Sequence, residues 1–333
     1  MRLATFNLEN LGTAPEGSDA RAAQITSLRP QIERLQADVL CLQEVNAGAV
    51  TAADGGRERA LPALDALLDG TPYADFHRIH TTSPSGPMPK DRHNLVTLSR
   101  FRVTAHREIH HHLIDPPRYR RATASFENRH EATPADDAVE WDRPLLHTAI
   151  DAGYTRPLHV INLHLRAPRA AFVVGQKRDS HTWKTMPGWA EGYFLTAMKR
   201  AGQALEARLF IDDLFDADAD ALIAVAGDFN ADDYEVPARI IRGDDLDVGN
   251  AALSPRMLVP LDRSLPEDQR RSVIHAGRAQ MLDHVFASRA LSAFYEGAEV
   301  LGELLGDEVL DAAAPGHAPG SFHAPVVARF RNP

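Results

Sequence analysis

The chain has 333 residues, of which 44% are hydrophobic and 25% are charged, and its formal net charge is −10. These fractions are typical of a folded protein and exclude a disordered or collagen-like chain. The acidic balance argues against binding to nucleic acid through bulk positive charge, although it is compatible with an enzyme that has a local basic cleft.

Apolar residues at helical spacing predict three helices, at 19–35, 58–69 and 190–215, and Pro30 is expected to shorten or kink the first. Short apolar runs predict β-strands at 2–7, 38–43, 73–80, 94–99, 101–109, 143–150, 157–164, 221–227, 280–287, 293–301 and 324–330. The pairs 94–99 with 101–109 and 143–150 with 157–164 have the spacing of antiparallel hairpins. Strict alternation of strands and helices is absent, so a simple doubly wound sheet is disfavoured.

Two stretches, 110–142 and 166–190, lack a regular pattern and are interpreted as insertions or long loops, which are often functional in compact domains. The sequence contains no internal repeat, no low-complexity tract and no change of composition that would mark a linker. We therefore expect a single domain over residues 1–331, and a monomer is the default expectation.

The single cysteine, Cys41, lies in an apolar run and cannot form an internal disulfide, so nothing requires an oxidising compartment. The first residues lack the apolar segment of a signal peptide. No apolar run approaches the roughly 18 residues that are needed to cross a bilayer. We expect a cytoplasmic protein with no membrane segment.

Several predicted strands end at a polar residue, and these residues are Asn7, Glu44, His164 and Asp228. Asp283 adds an acid inside the apolar run 281–286. A carboxylate at the end of a buried strand is costly unless it is paired or binds a metal. The two-residue period of a strand places Asn162 on the same face as His164, and Asn230 on the same face as Asp228. A turn or a cap would explain any one of these residues, but their number indicates convergence on one pocket.

The order of these residues resembles that of the endonuclease/exonuclease/phosphatase superfamily, the deoxyribonuclease-like metal-dependent phosphohydrolases. The matching segments follow the family order along almost the whole chain: Thr5-Phe6-Asn7-Leu8, Leu42-Gln43-Glu44-Val45, Asn94-Leu95-Val96-Thr97-Leu98-Ser99-Arg100, Asn162-Leu163-His164-Leu165, Gly227-Asp228-Phe229-Asn230, Leu282-Asp283-His284-Val285 and Ser321-Phe322-His323-Ala324-Pro325. The resemblance implies an α/β four-layer sandwich, in which two packed, mostly antiparallel sheets are flanked by helices.

The resemblance also implies a metal site and a water-activating acid. Phosphodiester hydrolysis needs neutralisation of charge on the phosphate and an activated water, and a hard Mg²⁺ ion suits the first task. Asn7 and Glu44 match the metal-binding positions of the family, and Mg²⁺, with Mn²⁺ as a substitute, is the expected cofactor. Asp228 matches the acid that orients or deprotonates the attacking water, and Asn230 lies beside it.

Two histidines match the family residues that contact the scissile phosphate, namely His164 and His323. Asp283 matches the acid that pairs with His323 and holds its protonated form or its correct tautomer. We expect further substrate contacts from Arg143, Asn162 and Arg166. Arg166 is the first residue of a segment, 166–200, that contains seven basic residues and only two acidic ones.

One position departs from the family pattern. The usual Ser-Asp-His near the C-terminus is here Ser321-Phe322-His323. The missing acid normally helps to hold the metal site, which puts metal affinity or a second metal position in question. Another acid could compensate for Phe322.

The hypothesis that follows is a Mg²⁺-dependent phosphoesterase that cleaves phosphodiesters, with DNA or RNA as the default substrate of a nuclease. A small-molecule phosphatase or a phospholipase-type phosphodiesterase could use the same core with different loops. A binding module that has lost activity is the third alternative, and Phe322 is its only support in the sequence.

Overall fold

The computed structural model describes residues 1–51, 55–123, 136–311 and 320–332. Strands are numbered in chain order. The first six-stranded sheet consists of β1 (Arg2–Leu11), β2 (Val39–Val45), β5 (His77–His80), β8 (Asn94–Ser99), β19 (Tyr295–Val300) and β20 (Val326–Phe330), in the order β19-β20-β1-β2-β8-β5. The second consists of β9 (Arg102–Ile109), β12 (Leu145–Asp151), β13 (Leu158–His164), β14 (Leu222–Asp228), β15 (Leu258–Pro260) and β18 (Asp283–Ser288), in the order β15-β18-β14-β13-β12-β9.

Short two-stranded ribbons decorate these sheets: β3 (Gly48–Thr51) with β4 (Arg57–Ala60), β6 (Thr82–Ser83) with β7 (Gly86–Pro89), β10 (Arg118–Tyr119) with β11 (Asp137–Ala138), and β16 (Val273–His275) with β17 (Arg278–Gln280). The α-helices are α1 (Asp19–Leu35), α2 (Pro62–Leu68), α3 (Met186–Ala217), α4 (Val236–Arg242), α5 (Asp245–Val248) and α6 (Arg289–Ser292). Short 3₁₀ helices lie at Pro72–Asp75, Ala251–Arg256, Leu261–Ser264 and Glu267–Gln269. Within the described residues, no helix combines the length and the apolar character needed to cross a membrane.

Four layers pack on one another, as the resemblance implies. Helices α1 and α2 cover the outer face of the first sheet, where Leu28 and Leu64 pack against Phe6. Helix α3 covers the outer face of the second sheet, where Phe210 packs against Val225. The inner faces of the two sheets form a third apolar cluster between them. Each fully buried Leu or Phe side chain contributes about 1.5–3 kcal/mol.

Each sheet is antiparallel except for one central pair. Strands β1 and β2 are parallel in the first sheet, and β13 and β14 are parallel in the second. A parallel pair needs a long crossover connection, usually through a helix. Helix α1 provides it in the first sheet and α3 in the second, and these two helices are the outer layers of the sandwich.

Most predicted elements are present, but several details differ. Helix α1 continues through Pro30 to Leu35, so the expected shortening does not occur. Residues 57–60 form strand β4 instead of the start of a helix. Residues 143–150 and 157–164 do form an antiparallel hairpin, as β12 and β13.

The prediction that 94–99 and 101–109 form a hairpin is wrong. Strand β8 pairs with β2 and β5 in the first sheet, whereas β9 pairs with β12 in the second. Every residue of β8 is buried, which requires a neighbour on each side, while most of β9 is exposed. The short link at Ser99–Phe101 is therefore a corner between sheets. Its two hydrogen bonds join Ser99 Oγ to the backbone of Phe101.

The two irregular stretches are mostly loop in the structure. Residues 124–135 of the first stretch lie outside the described residues, and the remainder contributes the small ribbon β10–β11. The second stretch is a loop up to residue 185, where α3 begins earlier than the sequence predicts.

Candidate active site

The site lies where the inner layer of the sandwich changes from apolar to polar. On β14, Leu222, Ala224 and Ala226 are buried between the two sheets, and Asp228 follows at the same two-residue period. The same alternation places Asn7 at the end of the inner face of β1. Strand periodicity therefore carries these polar side chains to one edge of the sandwich.

Strand register brings three site residues together. His164 lies opposite Asp228 in the parallel β13–β14 pair, and Asp228 lies opposite Asp283 in the antiparallel β14–β18 pair. All three are almost completely buried. Such a cluster is stable only if its charges and hydrogen-bonding groups find partners.

Asp228 is held by four donors. Its Oδ2 accepts hydrogen bonds from Asn7 Nδ2 and Asn230 Nδ2, each at 3.0 Å, and lies 3.2 Å from His164 Nε2. Its Oδ1 accepts the backbone N–H of Asn230 at 2.7 Å. Burial alone would raise the pKa of Asp228, but His164 and these hydrogen bonds hold it below its usual value. Asp228 is therefore an ionised, fixed carboxylate.

His323 and Asp283 form a second pair in the same cluster. His323 Nδ1 lies 2.8 Å from Asp283 Oδ2. Burial opposes the charged imidazolium, but the Asp283 carboxylate outweighs it and raises the pKa of His323 to about 10. The Ser321 hydroxyl accepts the His323 N–H and donates to the Asn7 carbonyl, which fixes the C-terminal segment against β1.

Glu44 forms a third group with two histidines. Its Oε1 lies 3.7 Å from His164 Nε2 and 4.0 Å from His93 Nδ1, and its Oε2 accepts the Asn10 N–H at 3.0 Å. Burial and Arg143 lower the pKa of His93 to about 4 in spite of Glu44, so its imidazole is neutral at pH 7. His93 was not predicted from the sequence, because a single histidine before a strand forms no recognisable motif.

The donor atoms at this edge fit a divalent cation. Glu44, His93 and His164 each offer an atom within 4.8 Å of the others. Asp228, Asp283 and His323 are equally close together, but the protonated His323 has no lone pair to offer a cation. In the described part of the chain, Asp283 Oδ1 and His93 Nδ1 are buried without a hydrogen-bond partner. Carboxylate and amide oxygens suit Mg²⁺, whereas imidazole suits transition metals. Asn7 offers its Oδ1, which also accepts the Glu9 N–H.

The three residues expected to contact substrate differ in where they lie relative to the cluster around Asp228. Arg143 donates to the Leu165 carbonyl at 3.2 Å and lies in the field of Glu44 and Asp228, so it borders the site. Arg166 is paired with Asp142 and donates to Thr196. Its guanidinium is therefore engaged by these two residues.

Asn162 lies deeper than His164, between the sheets. Its amide accepts from Gln43 at 2.8 Å and donates to the carbonyls of Leu42 and Val96. The side chain has no exposed surface. This position does not support the predicted substrate contact, and it gives Asn162 a structural role in joining the two sheets.

A buried ion pair lies beneath the loop after Asn230. It was not predicted from the sequence. His284 Nδ1 lies 3.2 Å from Asp262 Oδ1, and its Nε2 lies 2.9 Å from the Ala231 carbonyl. Burial would lower the pKa of His284, but Asp262 raises it to about 9. The charged imidazole thereby fixes the chain directly after residues 228–230.

Comparison with known proteins identifies a family and a shared fold. A sequence profile described as the Endonuclease/Exonuclease/phosphatase family matches residues 4–303. Among solved structures, a humanized D. rerio TDP2 has a TM-score of 0.56 at 13% identity, over 99% of this chain and 98% of that one. A 3′ phosphatase from Neisseria, bound to a product DNA hairpin, has a TM-score of 0.50 at 15% identity over 99% of both chains.

A family protein from Leptotrichia buccalis C-1013-b is similar to the same degree, with a TM-score of 0.50 and 16% identity over 99% of both chains. No curated protein sequence matches the chain. At 13–16% identity, the likeness to these solved structures shows a shared fold and nothing more.

Proposed function

Because the chain belongs to the endonuclease/exonuclease/phosphatase family, whose members are hydrolases of phosphate esters, we propose that it is a divalent-metal-dependent phosphodiesterase acting on nucleic acid. One observation carries the proposal. An ionised carboxylate, Asp228, lies in the same cluster as an imidazolium, His323, which its partner Asp283 keeps protonated. A fixed acceptor beside a fixed cationic donor is the arrangement that in-line attack on a phosphodiester needs.

Asp228 orients the attacking water. Its oxygens are fixed by Asn7 and Asn230, so the carboxylate does not reorganise when a water donates to it. As the water oxygen bonds to phosphorus and the P–O bond to the leaving group breaks, one water proton passes towards Asp228, and the leaving oxygen takes a proton from solvent. His164, at 3.2 Å from the same carboxylate oxygen, stabilises its charge before the proton arrives.

His323 and Arg143 act on the phosphate. With Nδ1 turned to Asp283, the Nε2–H of His323 is left to donate to a phosphate oxygen, where negative charge grows in the transition state. Arg143 adds a second positive charge at the border of the site, close to Glu44 and Asp228. We assign Asn7 and Glu44 to the metal. When bound, the divalent ion supplies charge neutralisation at the phosphate.

Nucleic acid is the proposed substrate class for two reasons. The family includes nucleases, and a structurally similar protein was solved with a product DNA hairpin. Phosphodiester chains also match a site that carries both an ionised carboxylate and cationic donors. Cytoplasmic location and a monomeric state stay predictions from the sequence.

A substrate panel tests the proposal. We would compare plasmid DNA, single-stranded DNA, RNA, bis-p-nitrophenyl phosphate and p-nitrophenyl phosphate, each with Mg²⁺ and with EDTA. We expect hydrolysis of the model diester and of at least one nucleic acid, abolished by EDTA. Hydrolysis of the monoester alone would replace the proposal by a phosphatase, and no hydrolysis of any ester would favour a binding module.

A further inference from the structure

A cavity of about 550 Å³ lies beside the Asp228 cluster, lined by the first half of α3 and by the segment after β14. Tyr193 and Tyr234 form part of its walls, and these residues are 44% and 68% exposed. Buried Arg200 also lines the cavity and donates to the backbone carbonyl of Asn230 at 2.8 Å. Because the Asn230 amide binds Asp228, a single residue separates the cavity wall from the proposed proton acceptor.

Each of the two tyrosine rings packs against a second flat group. The Tyr193 ring lies 5.6 Å from the Trp189 ring, centroid to centroid, with an interplanar angle of 31°. The Arg263 guanidinium lies 5.1 Å from the centroid of the Tyr234 ring and is paired with Asp233. Side chains supported in this way lose little freedom when a ligand stacks on them. The walls of the cavity are therefore preorganised for a flat apolar group.

A second cavity continues the aromatic surface towards the start of α3. It has a volume of about 380 Å³, and Trp183 and Trp189 line it. Trp189 also packs on Tyr193, which borders the first cavity. We call the rings of Trp183, Trp189, Tyr193 and Tyr234 the aromatic track. At the helical rise of about 1.5 Å per residue, residues 189–200 of α3 span about 17 Å, so the track is longer than one small ligand.

The charges near the track are mainly positive. The segment 166–200 holds seven basic residues and two acids, in a chain whose net charge is −10. The two acids, Asp179 and Glu191, are each held by hydrogen bonds to nearby loop groups. Exposed Lys184 lines the second cavity, and Lys177 Nζ lies 4.8 Å from the centroid of the Trp183 ring. Cationic side chains interleaved with aromatic rings are the combination that binds single-stranded nucleic acid, since the charges follow the phosphates and the bases stack on the rings.

We propose that the aromatic track binds the bases of a single-stranded nucleic acid whose phosphodiester lies at Asp228. The inference rests on the proposed function and narrows its substrate class from nucleic acid to a single strand. In a duplex the bases are stacked on one another, whereas an unpaired base presents both faces to an aromatic ring. Two separate cavities also suit flat groups that insert singly, and they would leave voids against a lipid surface or a second protein face.

Binding of oligothymidylate in EDTA, measured by fluorescence anisotropy, tests the inference without hydrolysis. The probes are a labelled strand of about 12 nucleotides, an abasic strand of the same length, and the corresponding duplex. Tyr193→Ala and Trp189→Ala should each raise the Kd for oligothymidylate about 5- to 100-fold, the range for stacking on one aromatic ring. Both should change the Kd for the abasic strand by less than about twofold, because its phosphate contacts are kept. Wild type should bind the single strand more tightly than the duplex.

The controls separate stacking from folding and from general loss of apolar surface. Tyr193→Phe keeps the ring and should bind oligothymidylate like wild type, and a thermal melt checks the fold of every variant. Leu246→Ala is the matched control, because Leu246 is an apolar residue on α5 that is 97% exposed and lies outside the track. Its Kd should stay within about twofold of the wild-type value.

An unchanged Kd in both alanine variants, or an equal loss for oligothymidylate and the abasic strand, would overturn the inference. It would also be overturned if these variants kept oligothymidylate binding but lost binding to phosphatidylserine vesicles or self-association, because the surface would then serve a membrane or a second copy of the chain. Base-dependent binding by a protein that hydrolyses no ester would refute the proposed function and leave this inference standing. Hydrolysis of nucleic acid without base-dependent binding would do the reverse.

Discussion

Asp283→Asn offers a quantitative test of the His323–Asp283 pair. The Asp283 carboxylate is the main group that raises the pKa of His323 to about 10, from an ordinary value of 6.5. Asparagine has the same shape and can still accept from Nδ1, but it carries no charge. Loss of one adjacent charge shifts a pKa by about 1–3 units, so we expect the pKa of His323 to fall to about 8.

The consequence is a shift of the alkaline side of the pH–rate profile. At pH 9, a group with a pKa of 10 is about 90% protonated and one with a pKa of 8 about 10%. Hydrolysis of bis-p-nitrophenyl phosphate at saturating Mg²⁺, measured from pH 6 to 10, should therefore fall about tenfold more in Asp283→Asn than in wild type between pH 7 and 9. Asp213→Asn, at an exposed position on α3, is the matched control.

An NMR titration of the His323 imidazole checks the same shift independently of turnover. The reasoning is refuted if the alkaline limb and the His323 titration are the same in Asp283→Asn and wild type. Loss of activity with an unchanged His323 pKa would show that Asp283 acts on something other than this imidazole.

Three other changes probe the metal, the fold and the buried ion pair. Glu44→Gln should raise the Mg²⁺ concentration for half-maximal rate by about tenfold, and an unchanged Mg²⁺ dependence would place the ligand elsewhere. Gly227→Ala should lower the free energy of unfolding by at least about 3 kcal/mol, because its φ is +151° and a Cβ would lie 1.9 Å from the Leu163 carbonyl oxygen. Gly249→Ala, at φ +62° with open space around it, should lower the free energy of unfolding much less when both variants are unfolded by denaturant. Equal losses in the two variants would exclude the clash. Since Asp262 raises the pKa of His284 from 6.5 to about 9, this stabilisation is complete below pH 6.5 and is lost as the pH rises through 9. Between these pH values, the free energy of unfolding of wild type should thus fall by up to about 3 kcal/mol more than that of Asp262→Asn. The same dependence of unfolding free energy on pH in both proteins would contradict this expectation.

The residues at strand ends could be predicted from the sequence because strand periodicity is a local property. Asp228 and His164 each close an apolar run, and their meeting requires only that the two runs be neighbouring strands. Periodicity shows on which face of a strand a side chain lies, but not how far the side chain is from the edge of the sandwich. Asn162 shares the face of His164 but lies one step further into the sandwich, where Gln43 and two carbonyl groups occupy its amide.

The residues that were missed depend on backbone conformation and tertiary packing. His93 has a left-handed backbone, which a pattern of apolar and polar residues does not reveal. His284 meets Asp262 only through tertiary packing. The spacing of residues 94–109 predicts a hairpin turn at Ser99–Phe101, because sequence spacing cannot distinguish a turn within a sheet from a crossing between sheets.

The most direct measurement is the rate of bis-p-nitrophenyl phosphate hydrolysis by wild type, Asp228→Asn and Asp213→Asn, each stripped with EDTA and then supplied with Mg²⁺. We expect wild type and Asp213→Asn to be inactive in EDTA and to recover equally with Mg²⁺. Asp228→Asn should stay about 10²–10⁴-fold slower with its fold intact, because a positioned proton acceptor contributes about that factor. Turnover that survives complete chelation, or an Asp228→Asn rate equal to that of wild type, would contradict the assignment of phosphodiester hydrolysis to this edge of the sandwich.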